Sequence, residues 1–136
     1  MPISPLRWEK GELFLLDQTR LPEACVEINP RTLESVREAI RALRVRGAPA
    51  IGLCAAFGVL VGVREKAPRT VAGAVRAAHE SAAFLATARP TAVNLFKSLD
   101  EMKAVADAAA NERTVEAFAA RMEAAALRML DEDLAI

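Results

Sequence analysis

The sequence predicts a mainly α-helical fold: a small N-terminal antiparallel sheet of three short strands, then a bundle of about five helices. Three observations carry this. Aromatic residues make up 4% of the chain and tyrosine is absent, whereas alanine, the best helix former, is abundant. Strand-like alternation is confined to the first thirty residues. From Leu33 onward, apolar residues recur three or four positions apart. At 136 residues the chain fits a single domain with a sizeable core, read as a β region over 1–30 and a helical bundle over 31–136.

The elements follow in order. "LRWE" and "ELFLLD" read as two strands around Lys10-Gly11, a hairpin turn. Asp17 and Gln18, in "LLDQTRLP", end the second strand and fix its turn by side-chain hydrogen bonds. "ACVEI" (24–28) alternates and supplies the third strand, and Asn29-Pro30 closes the region. Thr32 caps a helix over 33–44 that carries Leu33, Val36, Ile40 and Leu43 on one face.

A second helix starts near Pro49 and runs to about Arg64. Its stretch "APAIGLCAAFGVLVGV" (48–63) is apolar all round. Sixteen residues are too few to span a bilayer, and glycines interrupt them at 52, 58 and 62, so this is the buried centre of a soluble bundle. After the loop "EKAPR", Thr70 caps a helix presenting Val71, Val75, Ala78, Ala82 and Leu85. Pro90-Thr91 begins a fourth, with Ala92, Leu95, Leu99, Met102 and Ala106 on its apolar face. A break over Asn111 to Thr114 precedes a fifth with Val115, Phe118, Met122, Ala126, Met129 and Leu130. Leu134 and Ile136 continue that pattern with no stop signal, so the sequence reads as ending in mid-helix, a piece of something longer.

Composition excludes several functional classes. Eighteen basic and eighteen acidic side chains balance, which gives no general electrostatic claim on nucleic acid or an anionic membrane. Cys25 and Cys54 lack CxxC spacing, and "MPISPLRWEKGE" lacks the apolar core of a secretory leader. The expectation is a reduced, cytoplasmic setting with both thiols acting as small core residues. The single histidine, His79, has no partner at ligand spacing, so no metal site is expected.

Two breaks stand out. In "VRGAPAIG" (45–52), Arg46 and Gly47 precede a proline at the start of the apolar helix. A helix N-terminus exposes unpaired N–H groups and a partial positive charge, which suits an anion. Gly47 lets a ligand approach the main chain, Ala48 offers its N–H, and Arg46 adds a fork-shaped cationic donor. "ARPTAVNL" (88–95) repeats the arrangement, with Arg89 ahead of Pro90 and Thr91 as cap or hydroxyl donor. If the two helices pack side by side, both starts converge on one phosphate. Arg44 reads as solvent-facing or salt-bridged, and Cys54, inside the most apolar helix, as an inert thiol.

These motifs resemble the N-terminal domain of methylthioribose-1-phosphate isomerase, of the family shared with ribose-1,5-bisphosphate isomerase and the regulatory subunits of translation initiation factor 2B. The resemblance rests on "LLDQTRLP" (15–22), "VRGAPAIG" followed by "AAFG" (45–58), "RPTAVNL" (89–95) and the closing "DEDLAI", and covers nearly all of the chain. It implies an aldose–ketose isomerisation of 5-methylthioribose-1-phosphate in methionine salvage, with no metal or organic cofactor. It also implies that Arg46, Gly47, Ala48 and Arg89 grip the substrate phosphate. The family's proton-transfer cysteine and aspartate lie in a C-terminal Rossmann-like domain that these residues do not include. No catalytic residue is therefore expected here, and the chain alone is expected to be inactive, with that domain as its partner and self-association of an unpaired face as a further expectation. The alternatives are a non-catalytic regulatory or assembly module like the initiation-factor subunits, and a helical interaction protein without a ligand.

Overall fold

The computed structural model describes residues 6–42, 44–45 and 47–134. Leu43, Arg46 and Ile136, all named above, lie outside them.

Strands β1 (Leu6–Glu9) and β2 (Glu12–Leu16) pair antiparallel with Glu9 opposite Glu12. Only Lys10 and Gly11 link them, at φ 52° and 76°. Two positive φ values in a two-residue loop match the right-handed twist of the strands, which is why the glycine stands there. β3 (Glu27–Ile28) adds to the other edge of β2. It is shorter than the expected 24–28, because the Ala24 N–H turns back to the Arg20 carbonyl at 2.9 Å. Cys25 is consequently exposed and is not the core residue expected of it.

Five helices follow: α1 (Leu33–Arg41), α2 (Ala48–Lys66), α3 (Val71–Ala86), α4 (Val93–Ala108) and α5 (Val115–Leu134). α2 touches the other four and both hairpin strands, so the most apolar segment is the axle of the fold. Among the described residues no helix is long and apolar enough to cross a membrane. Glycines let the neighbours close on α2. A Cβ at Gly58 would meet Val36 and Leu85, and one at Gly62 would meet Leu33 and Ser81. Advancing along α2 thus retreats along α1 and α3, and both run antiparallel to it. α4 returns from α3 through a short turn, with His79 Nε2 of α3 2.8 Å from Asp107 Oδ1 of α4. α4 is therefore parallel to α2, and their starts share one end of the bundle.

The sheet is tied to the helices by Trp8, whose ring stacks on Phe57 at 4.9 Å while its indole N–H donates to Glu123 at 2.8 Å. Phe57, Phe118, Leu13, Leu15, Ile40 and Leu85 are among the largest fully buried side chains of the core.

Several helix boundaries differ from expectation; α2, for one, takes in Glu65 and Lys66 of the expected loop. α1 ends at Arg41, short of 44, because Arg44 is drawn towards the sheet, its carbonyl accepting from Gln18 N–H at 2.8 Å. α4 begins at Val93 and not at Pro90-Thr91. The Ala92 N–H bonds the Arg89 carbonyl at 3.0 Å, which makes Pro90 and Thr91 the central residues of a turn and leaves Thr91 without a capping role.

Candidate functional site: two uncapped helix starts

Three helices have their first turns closed by a threonine. The Thr32 hydroxyl accepts from Ser35 N–H, Thr70 from Gly73 N–H, and Thr114 from Ala117 N–H, all near 3.0 to 3.1 Å. α2 and α4 have no such bond, since their N-cap positions hold Gly47 and Ala92. These two uncapped starts lie at the same end of the bundle.

Their proximity follows from one contact. A Cβ at Gly52 would stand 3.1 Å from the carbonyl oxygen of Asn94, the second residue of α4. With parallel helices rising about 1.5 Å per residue, five steps back from Gly52 reach Gly47, level with the Arg89–Ala92 turn. The two breaks expected to lie side by side are thus at one level of the bundle, Gly47 and Ala48 on α2 and the Arg89–Ala92 turn ahead of α4. Arg46 is outside the described residues.

Gly47 sits at φ 91° and ψ 133°, and a Cβ there would meet nothing within 4 Å among the described residues beyond its chain neighbours. Its backbone faces open space, and the positive φ disfavours any residue with a side chain. Pro49 is the second helical residue, one place later than expected, so Ala48 opens the helix with its N–H directed towards the break.

The cations at this end divide into committed and free. Arg44 is salt-bridged, as one of its two expected states: it donates to Asp17 at 2.9 Å and to Glu38 at 2.9 Å. Arg37 donates to the Thr87 hydroxyl at 2.7 Å and lies over the Phe84 ring. Arg89 is half-buried, and among the described residues its guanidinium has no hydrogen-bond or ion-pair partner. A partly desolvated cation beside two open helix starts suits an anion with several oxygens.

Acid–base chemistry is scarce here. Among the described residues Asp17 is the buried carboxylate, 3% exposed. Burial pushes its pKa up, but the Thr19 hydroxyl and amide and the Arg44 guanidinium outweigh that and hold it below the ordinary value. Burial pushes the Cys54 thiol up to about 12. Neither group is set up to exchange protons near neutrality.

Two other concavities lie away from this end. A groove of about 540 Å³ runs between the hairpin turn, α2 and α5, lined by Trp8, Leu60, Val63, Phe118 and Met122; its arginine, Arg64, donates to the Gly11 carbonyl. A cleft of about 430 Å³ lies between the starts of α3 and α5, with Arg69 and Arg113, but there the threonine caps already occupy the first-turn amides.

Sequence reasoning missed the link between Asp17 and Arg44, which are far apart in the chain and leave no periodic trace. It also missed that α4 is uncapped, because Thr91 stood where a cap was sought.

A profile of the initiation factor 2 subunit family matches residues 44–136. A 5-deoxyribose 1-phosphate isomerase from Moorella thermoacetica is 43% identical over 135 residues, which is 99% of this chain and 38% of that protein. A methylthioribose-1-phosphate isomerase from Geotalea daltonii is 39% identical over 136 residues, 100% of this chain and 39% of its own length. Among solved structures, the translation initiation factor eIF-2B subunit delta from A. fulgidus superposes with a TM-score of 0.88 at 34% identity, over 98% of this chain and 38% of that one. The 5-methylthioribose 1-phosphate isomerase from Pyrococcus horikoshii OT3 gives 0.85 at 27% identity, over 94% and 36%. The chain thus spans well under half the length of the relatives it matches.

Proposed function

This chain belongs to the initiation factor 2 subunit family, and from that premise we propose that it is the substrate-phosphate-binding portion of a sugar 1-phosphate aldose–ketose isomerase. The observation that carries the reading is the Arg89 guanidinium, without a partner among the described residues, next to the uncapped starts of α2 and α4. The phosphate oxygens accept from the Gly47 and Ala48 amides and from Arg89, and Arg46 completes the grip. Both relatives' names share a ribose 1-phosphate lacking the 5-hydroxyl, and the substrate proposed here is 5-methylthioribose-1-phosphate, converted to 5-methylthioribulose-1-phosphate in methionine salvage.

The isomerisation moves hydrogen between C2 and C1 and needs groups that accept and donate it. With Asp17 committed and Cys54 inert, those groups come from the rest of a full-length protein, a Rossmann-like domain closing over this end, where Val93 is 77% exposed. The chain alone binds and positions the phosphate and does not turn substrate over. The likeness to an initiation-factor subunit favours a second reading, a non-catalytic module that senses a sugar phosphate.

Thermal melting in rising inorganic phosphate tests the grip. Ligand binding to the folded state should raise Tm progressively. Arg89→Ala should abolish the rise, while Arg69→Ala and Arg113→Ala, at the other cleft, should keep it. A rise lost only with Arg113→Ala would put the anion at the wrong end. For activity, a full-length protein carrying this chain should interconvert 5-methylthioribose-1-phosphate and its ketose; phosphate binding without turnover of that sugar or of 5-deoxyribose 1-phosphate would favour the sensing module.

A further inference from the structure

We propose that Asp17 is a positioning residue for the phosphate grip, acting through Arg44 to fix where the chain enters α2. The proposal rests on the reading of Gly47 and Arg89 as a phosphate site and adds a residue that touches no ligand.

The two oxygens of Asp17 have different work. Oδ1 accepts from the Thr19 N–H at 3.0 Å and the Thr19 hydroxyl at 2.6 Å, which closes the local turn after β2. Oδ2 accepts from Arg44 Nη1 at 2.9 Å, across 27 residues of sequence. A carboxylate needed only for its own turn would not require the second link. Being 3% exposed, it requires partners on both oxygens to tolerate its charge.

Arg44 is held through both its main chain and its side chain. Its N–H donates to the Ala39 carbonyl at 2.9 Å and its carbonyl accepts from Gln18 N–H at 2.8 Å. Its guanidinium spans Asp17, Glu38 and the Thr19 hydroxyl. Val45, next along, is 1% exposed and anchored in the core. Gly47 comes two residues later, at its positive φ. The end of the sheet, through Asp17 and Gln18, and the end of α1, through Glu38 and Ala39, therefore together set the approach to the α2 start. Because two carboxylates already surround Arg44, its charge is spent within the protein and it is not itself a phosphate ligand.

This role and a mere through-space charge effect predict opposite signs. Asp17→Asn removes a negative charge near an anion site, so electrostatics alone would tighten phosphate binding. Loosening the entry to α2 instead leaves the binding-competent arrangement populated only part of the time, and affinity falls by that fraction, about tenfold. Arg44→Lys keeps the charge but not the fork that reaches two carboxylates, so it too should weaken binding.

The test is titration of this chain with inorganic phosphate, followed by calorimetry and by the amide NMR signals of its glycines. The expected result is about tenfold weaker binding in Asp17→Asn and in Arg44→Lys, with the double variant no weaker than the worse single one, since both cut the same link. The Gly47 signal should broaden in each variant while those of Gly58 and Gly62, deep in the bundle, stay put. Should Asp17→Asn fail to fold, Arg44→Lys, at a side chain 31% exposed, decides the matter alone. Wild-type affinity or tighter binding in the folded variants overturns the positioning role and leaves the phosphate site standing. No phosphate binding by the unaltered chain overturns both.

Discussion

Gly52 of α2 lies so close to Asn94 of α4 that a methyl group at position 52 would stand 3.1 Å from the Asn94 carbonyl oxygen and 2.6 Å from the Ser98 hydroxyl. The hydroxyl can rotate away, whereas the carbonyl belongs to the helix itself. A missing side chain thus brings the two open helix starts together, and packing at this point is coupled to the proposed ligand site.

Gly52→Ala should therefore push α2 and α4 apart by a few tenths of an ångström, with an overpacking cost of about 1–3 kcal/mol. That corresponds to a fall in Tm of about 4 °C per kcal/mol for a chain of this size. The increment in Tm that phosphate produces should shrink as well. Gly62→Ala is the comparison: its Cβ would stand 2.7 Å from the Ser81 Cβ, which no rotation relieves. It should destabilise more, yet leave the phosphate increment intact, because it acts between α2 and α3 far from the α2 start. Equal increments in both variants would separate the helix contact from the site.

Much of this arrangement is legible in the chain wherever a local rule decides it. Lys10-Gly11 makes the hairpin, Thr32 and Thr70 cap their helices, and the apolar run from Ala48 becomes the axle. Reading failed where partners are distant or where one residue type serves two structures. Pro90 opens helices and also opens turns, and only the Ala92-to-Arg89 bond decides between them. Cys25 sits in an alternating stretch, but the turn closed by Ala24 removes it from the sheet. The Arg89 corner was readable as composition; its lack of a partner among the described residues was not, since that depends on where every nearby carboxylate went.

The Asp17–Arg44 link carries a pH signature. Asp17 is held below its ordinary 3.8 in the folded state, so the unfolded chain binds its proton first as pH falls. Its stabilising contribution is complete above the unfolded value and disappears as pH drops through the lower folded one. The gap in urea midpoint between the wild type and Asp17→Asn should thus be widest from about pH 5 upward and narrow below about pH 4. Glu27, also held low by Arg7, titrates in both proteins and cancels in the difference. A gap that stays constant into acid would mean that the carboxylate charge contributes nothing.

The two thiols should differ sharply in reactivity, and the difference bears on where chemistry can occur. Cys54 is wholly buried in α2, and desolvation pushes its pKa up to about 12, so the thiolate is scarce and out of reach of a reagent. Cys25 is exposed beside the turn after β2. An aromatic disulfide reagent at mildly alkaline pH should therefore label one thiol per folded chain and two in denaturant, with Cys25→Ser reducing the folded count to none. Cys54→Ser should cost about 1–3 kcal/mol, because the new hydroxyl is buried among apolar neighbours. In a full-length protein, Cys25→Ser should leave isomerase turnover unchanged. A large loss of turnover at normal phosphate affinity would place a reacting group within this chain, against the division between binding here and proton transfer elsewhere.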